Sequence, residues 1–217
     1  MIYLIILSIT ILFLLNGLSI YSLIRMNSSG KNENNPVNIS IIIAAKNEEE
    51  KIDILVESLN SLNYPVEMFE VILVDDNSTD GTYEKLKLKT KSYKNFSVIE
   101  LKSILSSGKR EALSFGIKNS KYPYILITDA DCKPQSNWLN ACSRKFNAGS
   151  DMLFGVAPLY QHKYFANKIS CYENLRNSVL SFSLASVGFP YTATARNLGF
   201  TKNAFDSVLG YSKTKDT

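Results

Sequence analysis

The run "ISIIIAA" (residues 39–45) constrains the fold more than any other stretch of this chain. A strand with one wet face alternates apolar and polar residues. A strand that stays apolar is covered on both faces, as in the interior of a parallel sheet flanked by helices. The rest of the chain keeps to that architecture. Ile52, Leu55, Val56, Leu59 and Leu62 recur at helical spacing, and Pro65 is expected to end that helix. "VILVDD" (71–76) reads as a second strand, after which Thr79 or Asp80 can cap a helix from 81 to about 89. "FSVIEL" (96–101) is a third strand and precedes a helix over 109–119. "YILIT" (124–128) is a fourth. Pro134 is expected to open a helix with Trp138, Leu139, Cys142 and Phe146 on one side. "MLFGVA" (152–157) is a fifth strand, and a long helix covers roughly 163–186. The alternation predicts an α/β fold: a mostly parallel sheet with right-handed crossovers, flanked by helices. Ligands of such sheets sit past the carboxyl ends of the strands, and the end of the first strand is the expected switch point.

Residues 2–24 carry no charged side chain. A helix of about 23 residues spans roughly 35 Å, enough to cross a bilayer. Arg25 is expected to end it, with Tyr3 and Tyr21 near its two ends, where interfacial aromatics are favoured. A cleaved signal peptide would want a basic residue before the apolar run and a small-residue cleavage site after it, and neither is clear. Asn16 inside the segment is expected to find a partner on another helix. Arg25, Lys31, Lys46 and Lys51 all follow the span, so the positive-inside rule puts the folded domain in the cytoplasm. The polar stretch 27–35 reads as a short tether. The expected organisation is therefore an anchor over 1–26, a linker over 27–37 and a folded domain over 38–217.

Composition excludes several classes. The net charge of +4 comes from scattered lysines, which argues against a nucleic-acid partner and is compatible with an anionic lipid surface. Cys132, Cys142 and Cys171 are odd in number and lack zinc-site spacing, so they read as free thiols in a reducing compartment. His162 is the sole histidine. It reads as a loop or helix-start residue, which leaves a zinc enzyme or a Ser-His-Asp hydrolase without its parts.

Four strand ends carry polar groups that should open on one side of the sheet. They are Lys46-Asn47-Glu48 after the first, Asp75 and Asp76 after the second, "SSGKREAL" with Lys109 after the third, and Asp129 and Asp131 after the fourth. Each alone reads as easily as a cap, a turn or a solvated surface residue. Together they suit a nucleoside diphosphate. Acids on the first two loops can accept from a base N–H and ribose hydroxyls. Two carboxylates one residue apart repel unless a cation or donor lies between them. Asp131, with Asp129 as a second ligand, can hold Mg²⁺ or Mn²⁺ on the phosphates, and Lys109 adds positive charge there. A diphosphate neutralised in this way is a good leaving group.

The motifs "AAKNEEE", "VDDNSTDGT", "GKREAL" and "DADCKPQSNWL", in this order, resemble glycosyltransferase family 2 of the GT-A fold over about residues 38–211. They are closest in style to its membrane-bound members, which act on polysaccharides or glycolipids. The resemblance implies a Rossmann-like GT-A domain that moves a sugar from a nucleoside-diphosphate donor, usually UDP-linked, to a saccharide or lipid acceptor hydroxyl with inversion. It implies that Ala45 and Glu48 line the nucleoside pocket and that Asp76 contacts the base. Lys109 lies near the diphosphate, Asp129 faces the sugar-nucleotide and Asp131 binds the metal. "ATARNLGFTKNAFDSVLGY" (193–211) looks like the family's acceptor-side segment, with Asn197 as its asparagine, Ala195 in place of the usual glycine and "LGY" in place of Gly-Gly-Phe.

Inverting members place a carboxylate base, paired with a second acid, several residues after that turn. Asp216 is nearly at that distance but has no acidic neighbour, so the base is expected beyond Thr217 and the domain is expected to be incomplete at its carboxyl end. A non-catalytic, membrane-tethered nucleotide-sugar-binding module or partner subunit is the alternative. Other rivals lack their residues. A P-loop would need glycine at Ser103 and Ser or Thr at Arg110. A haloacid-dehalogenase-type phosphatase would want Thr or Val at Lys133, and a sugar nucleotidyltransferase a glycine-rich first loop.

Overall fold

The computed structural model describes residues 1–28, 35–102 and 108–212. Lys31, most of the tether, the loop start at 103–107 and Asp216 lie outside the described residues. Two compact units emerge, Met1–Lys31 with Gly155–Thr194 and Asn32–Phe154 with Ala195–Thr217.

In the larger unit, β1 (Ile39–Ala45), β2 (Phe69–Asp75), β3 (Phe96–Glu100) and β4 (Tyr124–Ile127) are parallel. With β5 (Met152–Phe154) and β6 (Leu198–Thr201) they form a six-stranded sheet of order β3-β2-β1-β4-β6-β5. The chain steps outward from β1 to β2 and β3, then crosses to β4 on the other side, so the carboxyl end of β1 is the switch point.

The apolar character of β1, broken only at Ser40, has its predicted cause. Ile39, Ile41, Ile43 and Ala45 enter one core and Ile42 the other, all buried, because successive side chains leave opposite faces of a strand. The first core is closed by α2 (Ile52–Asn60), α3 (Thr82–Thr90) and α5 (Trp138–Asn147), through Leu55, Leu59, Leu86, Leu139 and Phe146. The second is closed by α4 (Lys109–Asn119), through Ala112, Leu113 and Ile117, with Phe205 of α7 (Lys202–Ser207) packed against it. Gly116 lets α4 approach closely: a Cβ there would lie 2.4 Å from a methyl of Ile42.

Several boundaries differ from the sequence reading. α2 stops at Asn60, so Pro65 does not end it. Pro65 instead precedes a 3-10 turn, Val66–Met68, that leads into β2. α5 starts at Trp138 rather than at Pro134. The sheet is mixed, because β6 runs antiparallel to both β4 and β5, and β5 is three residues long. The segment of β6 falls in the stretch that resembles the family's acceptor-side segment, to which the sequence assigns no secondary structure. It is a strand whose Gly199 fits between Leu126 and Leu153.

The smaller unit pairs α1 (Ile2–Ser28) with α6 (Phe165–Ser186). α1 runs past Arg25 to Ser28. It is the one helix among the described residues that is long and apolar enough to cross a membrane, over Ile2–Ser22. Asn16 donates to the carbonyl of Leu12, one turn back in its own helix, so it needs no partner on another. His162 precedes α6 on the surface, with its backbone N–H bonded to Asn167 Oδ1.

Candidate functional site

The strand-end loops are laced to one another, and the lacing explains much of the "VDDNSTDGT" sequence. After β1 the chain turns through Asn47, whose φ of 54° is left-handed, a conformation asparagine tolerates better than most residues. Asn47 N–H donates to Ser78 Oγ (3.1 Å), and Asn47 Oδ1 accepts from Thr79 N–H (2.8 Å). Glu48 N–H donates to Thr82 Oγ1 (2.9 Å), whose hydroxyl in turn donates to Asp80 Oδ1 (2.6 Å). Gly81 N–H donates to Glu49 Oε2, and a Cβ on Gly81 would meet that carboxylate at 2.6 Å. Asp80 also accepts from Thr82 N–H (3.0 Å), but the N-cap of α3 is Gly81 with no side-chain cap, so neither Thr79 nor Asp80 takes the capping role expected of them. These polar residues brace the first loop, a role the sequence reading missed.

Asp76 is the hub. It is buried and accepts the N–H of Gly108 at Oδ1 (3.2 Å), while Lys46 Nζ stands 3.7 Å from Oδ2. Its own N–H donates to the carbonyl of Ala45. One side chain thus joins the loops after β1 and β2 to the start of α4. Gly108 has a φ of 155°, which L side chains rarely adopt, so glycine suits the position that presents its N–H to Asp76. Asp75, also buried, accepts Ser78 N–H at Oδ2, and its Oδ1 has no hydrogen-bond partner among the described residues. A buried carboxylate oxygen without a donor is costly in the free protein and ready to accept one from a ligand.

Lys109, the first residue of α4, reaches Asp129 Oδ1 at 2.6 Å. Asp131 is exposed and has no ion pair among the described residues, only a long contact from the Cys132 thiol (3.8 Å). Lys51 links the first loop to this corner: its ammonium is held above the usual lysine range, chiefly by a hydrogen bond to Glu48, with the charge of Asp131 adding to the effect. Burial pushes the neighbouring Cys132 thiol up.

The candidate residues therefore come together, with two qualifications. Ala45 contributes its backbone carbonyl, because its side chain is packed in the first core. Asn197, in the 3-10 turn Ala195–Asn197, already accepts the indole N–H of Trp138 at Oδ1 (2.9 Å). Thr128 Oγ1 donates to the carbonyl of Arg196 (3.0 Å), so the segment before β6 is pinned to the end of β4. The sequence placed Trp138 on the buried side of its helix, but nothing in the spacing showed that it reaches 59 residues along the chain.

Among the described residues no three His, Cys, Asp or Glu side chains cluster into a metal cage. The donor set nevertheless fits a phosphate-bound Mg²⁺ or Mn²⁺, which is held by one or two carboxylates together with phosphate oxygens rather than by an all-protein cage. Asp131 is open, and Asp129 is two residues away, neutralised by a lysine that a cation can displace.

The profile of the family described as "Glycosyl transferase family 2" matches residues 40–200. Beta-monoglucosyldiacylglycerol synthase of Nostoc sp. is 34% identical over 125 residues, covering 58% of this chain and 24% of that protein. Poly(ribitol-phosphate) beta-glucosyltransferase of Bacillus spizizenii is 39% identical over 93 residues, 43% of this chain and 14% of that one. The chain thus spans about a quarter or less of these relatives' length. S. aureus TarS 1-349 in complex with UDP-GlcNAc has a TM-score of 0.52 at 25% identity, covering 59% of this chain and 37% of that one. The mannosyltransferase PcManGT from Pyrobaculum calidifontis, in complex with GDP-Man and Mn²⁺, has a TM-score of 0.62 and covers 93% of this chain and 57% of that one. Its 18% identity speaks to shared fold alone.

Proposed function

This chain belongs to glycosyl transferase family 2, and on that footing we propose that its strand-end crevice binds a UDP-sugar whose sugar is transferred to an acceptor hydroxyl. The observation that carries the reading is the convergence on Asp76, which ties Lys46 and the Gly108 N–H together while Lys109 reaches Asp129 and Asp131 stays open. TarS, which binds UDP-GlcNAc, supports a uridine donor.

Each residue has a role in this reading. Asp76, with the orphaned Oδ1 of Asp75, accepts from the base and ribose beside Glu48 and the Ala45 backbone. Lys109 draws the diphosphate toward the start of α4, where the positive end of the helix dipole also favours anions. Asp131 and Asp129 would hold Mg²⁺ or Mn²⁺, which when bound neutralises charge on the departing diphosphate. Asn197, oriented by Trp138, faces the acceptor side. Transfer is by single displacement with inversion: the acceptor oxygen bonds to the anomeric carbon as the bond to the β-phosphate oxygen breaks, and the acceptor proton passes to a carboxylate base. The acceptor is a saccharide or a lipid, in keeping with the names of the relatives. α1 anchors the protein in a membrane with the folded unit on the cytoplasmic side.

The test is a transfer assay with radiolabelled UDP-sugars, Mn²⁺ and mixed lipid and saccharide acceptors, run beside UDP calorimetry. Metal-dependent label transfer supports the reading. UDP binding without transfer leaves the donor site standing and limits these residues to donor binding, and absence of UDP binding overturns both.

A further inference from the structure

We propose that the turn after α6, Val187 to Tyr191, is a second membrane contact, seated in the headgroup layer of a lipid bilayer beside the end of α1. The inference rests on reading α1 as a membrane span. Ser183 Oγ of α6 lies 3.1 Å from Ser19 Oγ of α1, and Ser183 and Ser22 are both buried. The last turns of α6 therefore meet α1 at the carboxyl end of its apolar stretch, Ile2–Ser22, where the span would leave the hydrocarbon.

Four observations favour lipid there. The turn exposes its apolar side chains: Val187 is 44%, Phe189 73% and Tyr191 58% accessible. Tyr21 on α1, close to the same serines in sequence, is 52% accessible. Aromatic rings at the level of the headgroups are favoured positions for tyrosine in particular. Residues 177–195 carry no charged side chain and are bounded by Arg176 and Arg196, so nothing in the segment resists the headgroup boundary.

The backbone is also prepared for a medium poor in water. Gly188, at a φ of 88°, closes α6 by donating to the carbonyl of Ala185, and Phe189 N–H donates to Leu184. Val187 N–H also donates to Leu184, and Pro190 has no N–H. Every backbone donor from 187 to 190 is thus paired or absent, as a lipid-facing backbone requires. A Phe at this position of such a cap ordinarily folds back on the helix. Here it stays exposed.

The test uses the full chain reconstituted in phosphatidylcholine vesicles, with tryptophan placed by Phe189→Trp or, separately, Tyr191→Trp. Leu12→Trp serves as the control within the span. Emission is read against the parent, whose single tryptophan is Trp138. Lipids brominated near the headgroup or deep in the acyl chain act as quenchers. The expected result is a blue shift at 189 and 191, with stronger loss of emission to the shallow bromines, while position 12 is quenched by the deep ones. Quenching at 12 but not at 189 or 191 overturns the inference and leaves the span standing. A blue shift at 189 without lipid quenching would mean that protein covers the turn, and would also overturn it. No quenching at 12 removes the span and the inference together.

Discussion

Removal of the Asp76 carboxylate should loosen three loops at once. Asp76→Ala leaves the half-buried Gly108 N–H without its acceptor. A hydrogen bond to a charged group contributes about 1.5–3 kcal/mol net. The Lys46 pair adds at most about 1 kcal/mol, because at 3.7 Å its half-exposed lysine is screened by solvent. The sum predicts that Asp76→Ala lowers folding stability by about 1.5–4 kcal/mol. Asp76→Asn keeps an oxygen for Gly108 and should lose only about 1 kcal/mol. Denaturant unfolding of the detergent-solubilised chain, followed by the fluorescence of Trp138, measures both. Equal midpoints for Asp76→Ala and wild type would refute the assignment of Asp76 as the tie between loops. Equal losses in the two variants would refute the claim that the Gly108 bond dominates.

Gly116→Ala should be destabilising by about 1–2 kcal/mol, since overpacking against Ile42 and Val74 outweighs the better helix propensity of alanine; a thermal melt checks it. Trp138→Phe should lower stability by about 1 kcal/mol by removing the indole N–H that donates to Asn197, yet leave UDP affinity unchanged in calorimetry. Burial in α5 raises the Cys142 thiol to about 12. The unfolded chain releases that proton first, so this site stabilises the fold fully below about pH 8.5, and its contribution falls as pH climbs toward 12. Cys142→Ala should flatten the alkaline limb of a stability-against-pH curve, and the native Cys142 thiol should resist iodoacetamide at pH 8.

The central strands were legible because β1, β2 and β4 are buried on both faces and their sequences show it apart from Ser40, Glu70 and Asp75. β6 was not legible. Four residues with Gly199 among them carry no strand pattern, and only packing against Leu126 and Leu153 makes the glycine necessary. The prolines misled at α2 and α5, because Pro65 and Pro134 shape the loops beside those helices rather than their ends. In the site, the acids were visible as strand-end residues. Their partners were not: Lys109 with Asp129 and Gly108 with Asp76 depend on crossovers that bring distant loops to one edge. Asn47 read as a strand-end polar residue, Thr79 as a cap, and Ser78 and Thr82 only as part of a motif; their hydrogen bonds across two loops required the parallel pairing of β1 with β2.

Whether these loops form one donor site is tested most directly by calorimetric titration of UDP, with and without Mn²⁺, into the wild-type chain and into Asp131→Ala. The convergent site predicts that Mn²⁺ tightens UDP binding to the wild type and that Asp131→Ala loses this dependence. Metal-dependent binding that survives intact in Asp131→Ala would contradict it.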